Sequence, residues 1–150
     1  MPATDDAQHI KRVAIELIEA YVNTDRERVR ELSGGLGGAV GEEVISELKV
    51  FAAFLTRRVQ ETGVAWKPSD SREAVARAVA NLVEPEVEFA VISAWEAYSV
   101  GEHEAAETVA QGDPLVFVHM LAAFSAAIGK AVYDPLELLA TLRIAAGLAE

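Results

Sequence analysis

The sequence predicts an all-α fold, a helical bundle of about seven helices, on three observations. Apolar residues recur at helical spacing along most of the chain. No stretch alternates at period two over a strand's length, and no Asn-Gly or Asp-Gly pair offers a hairpin turn. Pro85, Pro114 and Pro135 each open an apolar run, where proline suits the first turn of a helix and would spoil its interior.

The first helix is expected over 7–23, with Ile10, Val13, Ala14, Leu17, Ile18 and Tyr21 on one stripe and Lys11, Arg12, Glu16 and Glu19 opposite. Thr24 and Glu27 have capping-box spacing, which predicts a second, short charged helix to about Leu32, stopped by Gly34. A long helix is predicted over 42–62 on the stripe Val44, Ile45, Leu48, Phe51, Ala52, Leu55 and Val59, with Gly63 as its terminator. The stretch "VAWKPSD" reads as a connection. Asp70 or Ser71 then caps a helix carrying Val75, Ala78, Val79, Leu82 and Val83. From Pro85 the run 87–100 is apolar nearly all round, and a short acidic helix follows, ending at Gly112. Asp113-Pro114 and Asp134-Pro135 repeat one device, an aspartate cap before proline, and open apolar helices over 115–132 and 136–149. The amphipathic helices are expected to wrap two apolar ones, 87–100 and 115–132.

Composition narrows the function classes. The 150 residues carry a net charge of −11, and the 51% of hydrophobic residues is high for a chain that needs no membrane. Residues 1–77 hold 11 Lys/Arg against 13 Asp/Glu, and residues 78–150 hold 2 against 11. An acidic half of this kind repels phosphates and anionic headgroups, so neither nucleic acid nor a membrane surface is an expected partner. The stretch 115–132 is 18 residues long, near the lower limit of roughly 17–25 for a span. It contains His119 and Lys130 and lacks flanking positive charge, so a buried helix is expected. The polar, acidic opening "MPATDDAQHIKR" has no apolar core of a signal peptide, and a cytoplasmic protein is expected. With no cysteine there is no disulfide, no thiolate metal site and no cysteine nucleophile.

The stretch "SGGLGGAVGEE", 33–43, places five glycines in eight residues. It lacks the lysine of a phosphate loop, a helix rather than a strand precedes it, and Glu42 and Glu43 occupy the helix start an anion would need. It therefore reads as a flexible link. That divides the chain into an N-terminal helical arm, 1–33, and a body, 42–150, within one compact unit.

Few residues carry recognisable chemistry. His103 and Glu107 share one helix face at i, i+4, one residue away from the zincin pattern, and are weak candidates for a metal. No second pair accompanies them, so neither a metal nor any other cofactor is expected. Glu96 and His119 stand within apolar runs, and Arg143 is the only arginine after Arg77. These three are expected to pair as a polar cluster or to lie at the surface singly. Trp95 and Tyr98 are the candidate aromatic walls of a pocket beside Glu96, His119 and Arg143. The functional expectation is a non-enzymatic binding or regulatory protein that forms a homo-oligomer, most simply a dimer, with room for a protein partner. Its motive is a second apolar face on the long helix (Val50, Ala53, Phe54) and on the last (Leu136, Ile144, Leu148). The alternative is a small-molecule-binding protein or enzyme with a pocket between the C-terminal apolar helices.

Overall fold

The computed structural model describes residues 2–36, 38–64, 66, 68–80 and 82–148. Among them are eight helices: α1 (Pro2–Val22), α2 (Arg26–Ser33), α3 (Ala39–Thr62), α4 (Pro68–Ala80), α5 (Pro85–Tyr98), α6 (His103–Ala110), α7 (Pro114–Val132) and α8 (Pro135–Ala145). The all-α expectation holds, and each of the eight helical segments read along the sequence has its helix, one more than the total of about seven.

The bundle is built around α7, which touches α1, α3, α4, α5, α6 and α8. Positions 118–126 of α7 are buried without interruption. The helix is long and apolar enough to cross a membrane by composition, and 67% of that window is buried inside the molecule. Apolar residues on every side of α7 are thus met by apolar stripes of its neighbours: Leu17 and Ile18 of α1, Leu48 and Leu55 of α3, Val75 and Val79 of α4, all fully buried. The other nearly all-apolar run is different. Of α5 only Val91, Ala94 and Trp95 are buried, and Phe89 is 75% exposed. A helix at the edge of a bundle has a solvent face whatever its composition, so the expectation of two central helices is corrected to one.

The N-terminal segment, from Ile10 to Val29, belongs to the same core. The stripe of α1 lies against α7 and α3 of its own chain, and Lys11 Nζ reaches the Ala146 carbonyl beyond α8 at 3.4 Å. What the glycine stretch joins is therefore two parts of one packed body. Leu36, in the middle of that stretch, is buried. Gly37 lies outside the described residues.

Helices α1 and α3 start earlier than the sequence reading has them, at Pro2 and Ala39, and two further starts, those of α2 and α4, depart in what sets them. Asp25 caps α2, its carboxylate accepting from Arg28 N at 3.1 Å. Thr24 is occupied by the end of α1: its φ is +54°, its N–H meets Tyr21 O at 3.2 Å, and the Asp25 N–H meets Ala20 O at 2.9 Å. That is a Schellman closure, and a residue held in the left-handed region cannot take the extended backbone of an N-cap. In the second case α4 starts at Pro68, two residues ahead of Asp70, again with proline in a first turn. The twin Asp-Pro starts are also unequal. Asp113 accepts from Leu115 N at 3.0 Å, whereas Asp134 stands at the cap position without that bond.

Candidate functional site

A groove of about 430 Å³ opens between α3, α5 and α7. Its floor is Leu121, Phe124 and Ile128 of α7, one wall is Ala52, Ala53 and Thr56 of α3, and the other is Trp95 and Tyr98 of α5. Trp66, in the connection before α4, closes one end. Helical spacing explains the construction. Leu121, Phe124 and Ile128 follow each other at three and four residues on one face of α7, and Ala52 and Thr56 do so on α3, where alanine keeps the wall low.

The aromatic rings form a continuous stack. Trp95 and Phe124 lie 4.7 Å apart between centroids, and Trp95 and Tyr98 lie 6.2 Å apart, both at a 31° tilt. Tyr98 continues edge-on to Phe117 at 6.2 Å and to His103 at 4.8 Å. Centroid spacings of this size are those of attractive offset and edge arrangements. Both tryptophans of the chain, Trp66 and Trp95, line the groove. The Trp66 indole donates to Ser71 Oγ at 2.5 Å. The Trp95 indole N–H is buried and meets no acceptor among the described residues, an arrangement that costs about 1–3 kcal/mol. Among the described residues Lys49 is the single charged one lining the groove, and it stands exposed at its edge. Tyr98 is half-buried, and that burial holds its phenol above the ordinary tyrosine range, so the ring presents a neutral hydroxyl.

Of the residues singled out in the sequence, Trp95 and Tyr98 are brought together here. Glu96, one position on, points elsewhere: it is exposed and pairs with Arg72 of α4 at 3.6 Å. Arg143 is exposed on α8, beside Arg12, Ile15, Glu16 and Leu148. His119 is buried in the core between α1, α2 and α7, where Tyr21 Oη lies 2.8 Å from Nδ1 and Ser33 Oγ 3.2 Å from Nε2. Of the two alternatives for these residues, Glu96 and Arg143 follow the second, each exposed at the surface, and His119 is buried with other partners, so the three do not form one polar cluster. His103 and Glu107 are both exposed on α6, and no group of three or more His, Asp or Glu side chains gathers to hold a metal among the described residues. The His103 ring is engaged against Tyr98.

The hydrogen-bond directions at His119 follow from the partners. Ser33 Oγ donates its only hydrogen to the Val29 carbonyl at 2.6 Å. It can then only accept from the imidazole, which places the proton on Nε2 and leaves Nδ1 to accept from the Tyr21 hydroxyl. Every polar atom of the neutral ring is satisfied. Burial pulls the His119 pKa down to about 4, with Asp113 acting weakly the other way. This is a structural histidine, and its partners lie 98 and 86 positions away.

Trp66, Lys49 and Ser71 were not visible as site residues in the sequence. The signal for Trp66 was a tryptophan in a connection, a side chain too large and apolar to be left in water without cause. Compared with family models, curated proteins and solved structures, the chain matches none.

Proposed function

We propose that this is a non-catalytic, cytoplasmic binding protein that holds a small apolar anion, an aromatic or branched aliphatic carboxylate in its simplest form, in the groove between α3, α5 and α7. The observation that carries the reading is the stack of Phe124, Trp95 and Tyr98 walling an apolar groove whose single charge among the described residues is the cation Lys49. Its volume, about 430 Å³, falls in the range of roughly 300–1,000 Å³ common for small-molecule sites. Binding rather than turnover is favoured by the lining. Among the described lining residues the one titratable group apart from Lys49 is Tyr98, kept protonated by its burial. The burial of most of α7 in the core supports a protein that works away from a membrane.

The probe that tests this is 1-anilinonaphthalene-8-sulfonate, an aromatic anion that accepts excitation energy from tryptophan. With both tryptophans at the groove, titration should give saturable energy transfer with one site per chain. Lys49→Glu should weaken binding about threefold to tenfold, the scale of reversing one exposed charge contact. Ala53→Phe, on the exposed wall, should block the groove and abolish the transfer. Binding that ignores both substitutions would remove the proposal.

A further inference from the structure

A second cleft, of about 360 Å³, lies between α4, α7 and the corner that joins α1 to α2. It shares no described lining residue with the aromatic groove. Helical spacing builds its walls. Ala74 and Ala78 flank Arg77 on one face of α4, and Ala123 and Ala127 lead to Lys130 on one face of α7. Arg77, Lys130 and Thr24 of the corner are exposed and polar, around a floor kept shallow by alanine. Arg77 and Lys130 are in no ion pair among the described residues, and the described lining residues include no carboxylate. Asp25, next to Thr24, is turned to Arg28 N as the cap of α2. Two other clefts with a pair of cations differ: Glu84 stands with Arg26 and Arg30, and Glu16 with Arg12 and Arg143. Arg77 and Lys130 each stand in the last turn of a helix. That position favours a cation but does not by itself bring two of them to one cavity, where like charges repel until an anion sits between them.

We infer that this cleft binds a small dianion, the phosphoryl group of a phosphate monoester with a short aliphatic body. Two cations, one from α4 and one from α7, match two negative charges carried by one group. The planar guanidinium of Arg77 suits a contact with two oxygens, and the Lys130 ammonium acts as a point charge. The alanine floor leaves room for a short apolar body and for nothing bulky. The net charge of −11 does not forbid such a ligand. Charges further away than a Debye length of about 8 Å are largely screened in physiological salt, so a single group seated between Arg77 and Lys130 is governed by those two. A nucleic acid strand, spread over the surface, would meet the acidic field along its length. Both cations are exposed, so the site is a weak one, filled at roughly millimolar ligand.

Titration of the nitrogen-labelled protein with methyl phosphate tests the inference, followed by backbone amide signals. At pH 7.5 the ester carries two charges, since its second ionisation lies near pH 6, and its methyl group is too small to fill the aromatic groove. Amides of the stretches 74–78 and 123–130 should move along one saturation curve. Arg77→Gln and Lys130→Gln, both at exposed positions, should each weaken binding about threefold to tenfold, and the two together should remove saturation. Arg57→Gln, which replaces an exposed cation of α3 outside the cleft, should leave binding as it was. Methyl sulfate, of the same shape with one charge, should bind at least about threefold more weakly. Amides that stay in place up to tens of millimolar methyl phosphate overturn the inference. So does a response confined to the indole signals of Trp66 and Trp95, which would place the anion in the groove, or a saturation curve that the double variant retains, or equal affinity for the two esters.

Discussion

Lowering the pH from 6.5 to 4 should cost the folded protein about 3 kcal/mol through His119 alone. In the unfolded chain the imidazole takes up its proton near the ordinary value of 6.5, and in the folded chain only near 4. Between those values the unfolded chain binds more protons, so falling pH favours unfolding, and the contribution is complete only above about 6.5. The cause is burial, together with a hydrogen-bond chain that suits the neutral ring: Tyr21 donates to Nδ1, and Nε2 donates to Ser33. Protonating Nδ1 sets two hydrogens against each other unless the Tyr21 hydroxyl turns, and Tyr21 is itself buried. The cleft outside His119 is lined by Arg26, Arg30 and Glu84, and Glu84 is already paired with Arg30 at 3.9 Å. Urea unfolding of the parent and of the pair Tyr21→Phe with His119→Leu, at several pH values, checks this. The double variant should lose the slope between pH 6.5 and 4 that the parent shows. His119→Leu alone should lose about 1–3 kcal/mol at pH 7, because the Tyr21 hydroxyl is then buried without a partner. Equal slopes in parent and double variant would contradict the assignment.

Two glycines of the glycine-rich stretch, Gly35 before α3 and Gly41 in its first turn, should behave differently when replaced by alanine. A Cβ at Gly41 would stand 2.1 Å from the Leu36 carbonyl oxygen and 3.0 Å from two carbons of Pro114. The first is backbone and cannot swing aside. Overpacking of this kind costs about 1–3 kcal/mol and more where nothing can yield, against a gain of up to about 1 kcal/mol from removing a helical glycine. Gly41→Ala should therefore destabilise by about 2 kcal/mol or more. Gly35 has no neighbour within 4 Å, and Gly35→Ala should stay within about 0.5 kcal/mol. Urea midpoints separate the two. Equal midpoints would mean that α3 and the start of α7 are not as closely packed as described. The glycine-rich stretch thus has Gly41 fixed by contact, where α3 passes under the loop, and Gly38 held at a φ of +69°, beside Gly35, which is merely free.

Several helix starts and stops were legible from a local device, though the proline start of α4 at Pro68 was passed over as part of a connection. Gly63 ends α3 in a left-handed turn, and Pro85, Pro114 and Pro135 open their helices. Local reading failed at Thr24, where two devices compete for one residue and the end of α1 prevails. It failed again for α5, since apolar composition does not say which side of a helix the rest of the chain will cover. The site was legible only in part. Trp95 and Tyr98 are close in sequence and share a wall, but the opposite wall comes from Ala52, Ala53 and Thr56, residues with no chemical signature. His119 drew notice as a polar residue in an apolar run. That its partners are Tyr21 and Ser33, and not Glu96 and Arg143, depends on how α1 and α2 lie across α7, which no spacing along the chain encodes.

The groove itself can be tested through its own reporters. In a proton–nitrogen correlation spectrum of the labelled protein, Trp66 and Trp95 supply the two indole N–H signals, assigned by Trp66→Phe. Titration with indole-3-carboxylate should move both signals along one saturation curve, with Trp95 moving further because its N–H has a bond to gain. Signals that stay in place up to millimolar ligand, in a protein that remains folded, would contradict a ligand site between α3, α5 and α7.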